Sequence, residues 1–204
     1  MFNLSKYKVF FFDFDGVILN SVNVKTIAFS KLFEKYGDDV QEKVVRYHVQ
    51  NGGISRYEKF RYYYKHYLKQ EINEAIIHGL DKQMNQITME EIMKVDFIPG
   101  MPNFLQHYYR NKDCYIISAT PQGEMRQIVK RKKLESYFIA VYGSPIKKYD
   151  HMQNILLERG YHPDKSVMFG DAATDEKAAE MNQVDFIGVN YPSRYNIPNF
   201  KYFS

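Results

Sequence analysis

One cysteine, Cys114, is all that the 204 residues contain, so no disulfide forms within them and the composition suits a reducing compartment. It sits in the apolar run Cys114-Tyr115-Ile116-Ile117, which reads as a buried structural thiol rather than a nucleophile. No apolar stretch approaches the roughly 20 residues needed to cross a bilayer. Lys6 and Lys8 are followed by only four apolar residues before Asp13, too few for a secretory leader. A soluble cytoplasmic protein with no membrane partner is the expectation. The six histidines show no metal-ligand spacing, which argues against a zinc site. There is no internal repeat, low-complexity tract or long flexible linker. Excess charge is also scarce: a net +4 permits anionic small molecules without demanding nucleic acid.

What is present is a globular composition, 45% hydrophobic and 25% charged, long enough for one good core and a smaller appendage. The chain is organised around Val9 to Ser21, V-F-F-F-D-F-D-G-V-I-L-N-S. Its four large apolar residues predict a strand buried on both faces that ends at Asp13. Asp15 follows two residues on, and Gly16 lets the backbone turn sharply or approach a ligand. Two readings of the carboxylates are open here: a turn and helix cap, or a ligand site at the carboxyl end of a central strand.

Ser21 is placed to cap a helix running to about Tyr36, ended by Gly37. Helical spacing recurs over Val40 to Val49 and is broken at Gly52-Gly53. Ser55-Arg56-Tyr57-Glu58 has the form of a capping box that starts a helix through about Lys69. More helical sequence spans Ile72 to Lys94. Beyond Pro99-Gly100 the pattern alternates. Helices over 101–110, 124–132, through 155–157 and over 176–181 separate strands at 114–117, 138–142, 166–169 and 186–189. Alternation of this kind implies a parallel sheet covered on both faces. The expected fold is α/β: a Rossmann-like parallel core formed by residues 1–20 and 96–204, with an all-helical module, residues 21–95, inserted after strand one.

The later strands also end in polar groups. Ser118-Ala119-Thr120 closes the second, where Ser118 reads as a helix cap or as part of an oxyanion cradle. Gly170-Asp171, with Asp175 four residues on, closes the fourth, as cap and first-turn acid or as ligands. Lys147-Lys148 follows the third. If all strands run the same way, these side chains meet at one edge. Carboxylates crowded there repel by about 4 kcal/mol per pair at 4 Å and an effective dielectric near 20. Such a cluster calls for a hard cation, for which Mg²⁺ is the best match.

Taken together, D-F-D-G-V, I-I-S, a lysine and G-D-x-x-x-D resemble, in order and in strand-end placement, the four motifs of the haloacid dehalogenase superfamily, most of whose members are phosphatases. The inserted helices are similar to that family's first cap type. The resemblance implies Asp13 as nucleophile and Asp15 as general acid and base, the latter also giving its main-chain carbonyl to the metal. It implies Ser118, Ala119 and Lys148 as phosphate contacts, and Asp13, Asp15, Asp171 and Asp175 as the Mg²⁺ site. Asn20 stands where many relatives carry Asp, and Lys148 is preferred to Lys147 on its spacing from Pro145.

The activity so implied is Mg²⁺-dependent hydrolysis of a small phosphorylated metabolite, such as a sugar phosphate, through an aspartyl-phosphate. The alternatives are a phosphomutase of the β-phosphoglucomutase type and a non-catalytic phospho-ligand-binding protein. A monomer or weak dimer is expected. The run Arg61 to Lys69 interleaves bases with tyrosines, but on a helix these spread round the cylinder, so packing explains them better than nucleic-acid stacking. Lys130 to Lys133 reads as a solvated helix end. The loop Gln50 to Ile54, with Gly52 and Gly53, and Arg56 in the next first turn are the expected specificity element. A solvent-exposed Arg56 is the competing reading.

Overall fold

Strand β1 (Val9–Phe12) is buried along its whole length. Its alternation serves two different cores. Phe10 and Phe12 pack with Phe104, Phe138 and Phe169 on one face, while Val9 and Phe11 meet Tyr115, Met152 and Met168 on the other. Phe12 and Phe169 stack with centroids 5.0 Å apart. Each phenylalanine so buried is worth about 1.5–3 kcal/mol relative to exposure, and a strand with apolar side chains on both faces can only sit inside a sheet. The structure, a computed structural model, describes residues 3–52 and 54–203, apart from the side chain of Tyr202.

Five further strands complete the sheet: β2 (Asp113–Pro121), β3 (Ala140–Ser144), β4 (Ser166–Gly170), β5 (Asp185–Val189) and the short β6 (Asn196–Ile197). The order is β3-β2-β1-β4-β5-β6, and every pairing is parallel. Strand β1 therefore lies between β2 and β4, and the three carboxyl ends are neighbours.

Between β1 and β2 run α1 (Val22–Phe33), α2 (Asp38–Gln50), α3 (Arg56–Tyr63), extended by a π-helical turn over Tyr64–Leu68, and α4 (Glu74–Ile92). They share a buried cluster of their own, including Phe29, Phe33, Val44, Phe60, Tyr63, Leu80 and Met84. Tyr63 and Tyr64 are buried in it, and the Tyr62 ring stacks on Tyr47 with centroids 4.0 Å apart. The tyrosine-rich run is thus packing surface. The sheet is covered by α5 (Met101–Tyr108), α6 (Gln122–Arg131), α7 (Lys148–Arg159) and α8 (Ala173–Met181).

Three local expectations are corrected and one strand is added. Ser21 precedes α1 but makes no capping bond to it, because its hydroxyl is drawn to Asp15. Strand β2 continues past Ile117 to Pro121, so Ser118 is a strand residue and not a cap. Lys132 is not a solvated end: its ammonium donates to the carbonyls of Met93, at 3.3 Å, and Val95, at 2.7 Å. Strand β6 carried too little apolar pattern to be read in advance. Cys114 is buried, and among the described residues no helix is long and apolar enough to cross a membrane.

Candidate active site

Asp13 emerges from β1 with its amide bonded to the carbonyl of Phe169 on β4 at 2.9 Å, which fixes where its backbone leaves the sheet. One oxygen accepts from the Phe14 amide at 2.7 Å. The other lies 2.9 Å from Lys148 Nζ, which also reaches Asp175 Oδ1 at 2.5 Å. Lys148 begins α7 and is buried, whereas its neighbour Lys147 is exposed. Burial works against the Lys148 charge, but Asp13 and Asp175 more than offset it and hold its pKa above the ordinary value.

Carboxylate oxygens of Asp13, Asp171 and Asp175 lie within 4.8 Å of one another. Burial is the main cause pushing Asp13 up to about 7 and Asp171 up to about 8, and the neighbouring carboxylates add to it in both. Asp175 is pinned, its Oδ2 accepting from the Ala172 amide at 3.2 Å. Asp171 makes no hydrogen bond or ion pair among the described residues. Two glycines make room. A Cβ on Gly16, where φ is +77°, would stand 1.9 Å from Asp171 Oδ2, and one on Gly170 would stand 2.3 Å from the Asp175 Cβ. An all-oxygen, mutually repelling donor set, buried at Asp13 and Asp175 and half-buried at Asp171, with Lys148 the only cation bonded to it among the described residues, fits a hard divalent cation.

Asp15 faces away from this triad. Its carboxylate accepts from Ser21 Oγ at 2.5 Å, from Thr120 Oγ1 at 3.2 Å and from Lys25 Nζ, which also donates to Thr120 at 2.6 Å. Burial opposes ionisation of Asp15, but the Lys25 charge and these hydrogen bonds prevail and hold its pKa below the ordinary range. Ser118 and Ala119 complete the β2 edge, the Ser118 hydroxyl accepting from the Thr120 amide at 3.1 Å.

A cavity of about 110 Å³ opens over Asp13, Asp15 and Asp171, floored by Ser118, Ala119 and Thr120. Its roof comes from the helical module: Lys25, Phe29, His48, Gly52, Ile54, Arg56, Lys59 and Met84. A second cavity, about 190 Å³, shares Ser118, Ala119 and Ile54 with it. Of the expected specificity loop, Gly52 lines the first cavity and its carbonyl faces Thr174 Oγ1 at 3.5 Å. Gly53 lies outside the described residues.

Arg56 is not solvent-exposed. It is 4% exposed, with Nη1 3.3 Å from Asp81 and Nη2 2.5 Å from Glu124 on α6. Glu124 in turn accepts from Thr88 of α4 at 3.0 Å. Arg56 therefore ties the helical module to the sheet-covering layer and has little charge left for a ligand.

Sequence reasoning overlooked Lys25, Thr120, His48 and Lys59. Lys25 had a readable signal, since it lies four residues after Ser21 and so on the same helical face. His48 and Lys59 had none that is local, because two different helices bring them together.

No curated protein matches the chain. Among solved structures it superposes on a β-phosphoglucomutase from Clostridium difficile with a TM-score of 0.81 at 18% identity, over 97% of this chain and 93% of that one. CbbY from Rhodobacter sphaeroides, solved in complex with phosphate, gives 0.75 at 14% identity over 95% of each chain. A predicted phosphoglycolate phosphatase from Haemophilus somnus 129PT gives 0.71 at 17% identity over 98% of this chain and 90% of that one. At such identities the likeness is one of fold. The family model for haloacid dehalogenase-like hydrolases matches residues 10–189, from β1 with its terminal carboxylate through to the end of β5, and the chain belongs to that family.

Proposed function

We propose that the protein is a Mg²⁺-dependent phosphatase acting on a small phosphorylated metabolite through an aspartyl-phosphate on Asp13. Family membership and the carboxylate cluster make the chain a phosphoric monoester hydrolase of the haloacid dehalogenase type. The observation that carries the finer reading is the placement of Asp13. It stands at the end of the central strand, held by Lys148 and clustered with Asp171 and Asp175 on the cavity between the sheet edge and the helical module.

In this reading Asp13, Asp171 and Asp175 hold Mg²⁺, which when bound supplies positive charge to the phosphoryl oxygens. Ser118, the β2 edge and Lys148 bind the remaining oxygens. An Asp13 oxygen bonds to phosphorus as the ester oxygen departs with a proton from Asp15. Water then attacks the phosphorus, Asp15 takes its proton, and inorganic phosphate leaves with Asp13 restored. The arrangement around Asp15 supports the second half: ionised and held by Lys25, Ser21 and Thr120, it is in the state that accepts a proton. To act as acid it must first be released from Lys25. A cytoplasmic setting and a monomer or weak dimer complete the proposal.

Phosphate release from p-nitrophenyl phosphate, in Mg²⁺ and in EDTA, tests this directly. Activity should require Mg²⁺ and be abolished by Asp13→Asn with the thermal transition intact. More than a few per cent of residual Mg²⁺-dependent turnover in that variant would remove Asp13 as nucleophile.

A further inference from the structure

The buried stripe of α3 is Arg56, Lys59, Phe60 and Tyr63, a regular helical core face whose first two positions are cations. Arg56 is matched by two carboxylates. Lys25 and Lys148, the other cations on the cavity or its floor, are each matched as well. Lys59 alone among these four has no carboxylate partner. It is 2% exposed, and among the described residues its ammonium meets only His48 Nδ1, at 2.9 Å, and the face of Phe29, at 5.6 Å.

His48 supplies no counter-charge. Burial, with Lys59 and Lys25 adding to it, drives the imidazole pKa down to about 3, so the ring is neutral and Nδ1 accepts. Burial likewise pulls Lys59 down to about 7, with Lys25 contributing. A buried ammonium without an anion is costly, and an anion entering from outside offsets that cost and favours the charged form. Lys59 and His48 both line the cavity that holds Asp13 and Asp15, with the apolar side chains of Phe29 and Met84 lining it as well.

We propose that Lys59, seated on neutral His48, binds a second anionic group of the substrate, at the end remote from the reacting phosphate. This deepens the phosphatase reading and rests on it for the position of that phosphate. The substrate class is then a phosphomonoester that carries another anion, a carboxylate or a second phosphate, on a short skeleton. The role expected of Arg56 thus passes to the next residue on its face of the helix, three positions on.

The test uses equilibrium binding, so that it does not depend on turnover. Asp13→Asn protein in Mg²⁺ is titrated calorimetrically with two matched pairs: 3-phosphoglycerate against glycerol 3-phosphate, and glucose 1,6-bisphosphate against glucose 6-phosphate. The doubly anionic member of at least one pair should bind ten-fold tighter or more, and which pair it is identifies the anion. Adding Lys59→Met, or Lys59→Gln to keep a hydrogen bond to His48, should reduce that preference to under three-fold. Equal affinities within both pairs overturn the inference with Lys59 in place and need no further variant. A preference that survives loss of the ammonium overturns it too. Phosphate release by the unsubstituted chain from the same four compounds is scored separately: binding preference without release would refute the phosphatase reading and leave the anion site standing.

Discussion

Lys25, near the start of the first helix of the inserted module, is bonded to the carboxylate of Asp15 at the mouth of the sheet. The pair spans the junction between module and core, so the position of the module and the state of Asp15 are coupled. If Lys25 orients Asp15, Lys25→Met should lower kcat on alkyl phosphates, which need a proton on the leaving oxygen, at least ten-fold more than on p-nitrophenyl phosphate. Asp15→Asn should give the same pattern. Equal losses on both ester types in Lys25→Met would confine the lysine to binding.

The acidic triad makes a prediction about pH and metal. Asp13 and Asp171 have folded pKa values near 7 and 8, above the ordinary 3.8. Between about pH 4 and pH 8 the folded chain therefore holds more protons than the unfolded one, and stability from this cluster falls as pH rises. Mg²⁺ should reverse that loss. The Tm difference between protein in Mg²⁺ and protein in EDTA should grow steadily from pH 5 to pH 8. Taking the difference removes His48, whose depressed pKa acts in the opposite direction whether or not metal is present. A difference that shrinks with rising pH would mean that the cation binds elsewhere.

Arg56 and Glu124 form a buried ion pair between α3 and α6. Removing one partner leaves the other charge stranded, which costs about 3–5 kcal/mol. Arg56→Met and Glu124→Gln should each lower urea stability on that scale, and the double variant should lose clearly less than the sum. Additive losses would show that the two side chains do not act as a pair.

For the adjacent lysines the geometry is one-sided. Lys148 bridges Asp13 and Asp175 while Lys147 points to solvent. Lys148→Ala should reduce kcat/KM by at least a hundred-fold, and Lys147→Ala by less than three-fold. The reverse order in steady-state assays would transfer the phosphate contact to Lys147.

How much of this could be read in advance follows from where each residue sits. Asp13 and Asp171 directly follow the ends of β1 and β4, and in a parallel sheet the carboxyl ends of the strands share one edge, so a one-dimensional pattern carries three-dimensional information; Ser118 reaches that edge from within the longer β2. The apolar run Phe10 to Phe12 announced its burial for the same reason. Arg56 misled because its position in a first turn predicts only the local dipole cost, whereas its partners Asp81 and Glu124 are supplied by two other helices. His48 and Lys59 are invisible in the same way. Ser21 had the right spacing for a cap, but its hydroxyl is turned to donate to a carboxylate six residues upstream and accepts from no helix amide. Helix packing decides these pairings, and the sequence encodes it only through the whole module.

Strand β1 pairs with β2 across an excursion of about a hundred residues. Closing so long a loop costs only about 0.6 kcal/mol more for each doubling of its length, and the excursion buries its own aromatic cluster. The sheet is consequently almost indifferent to the size of what is inserted there. The roof over the cavity can therefore be exchanged or resized at little thermodynamic penalty, while the strand leading to Asp13 stays locked between its neighbours.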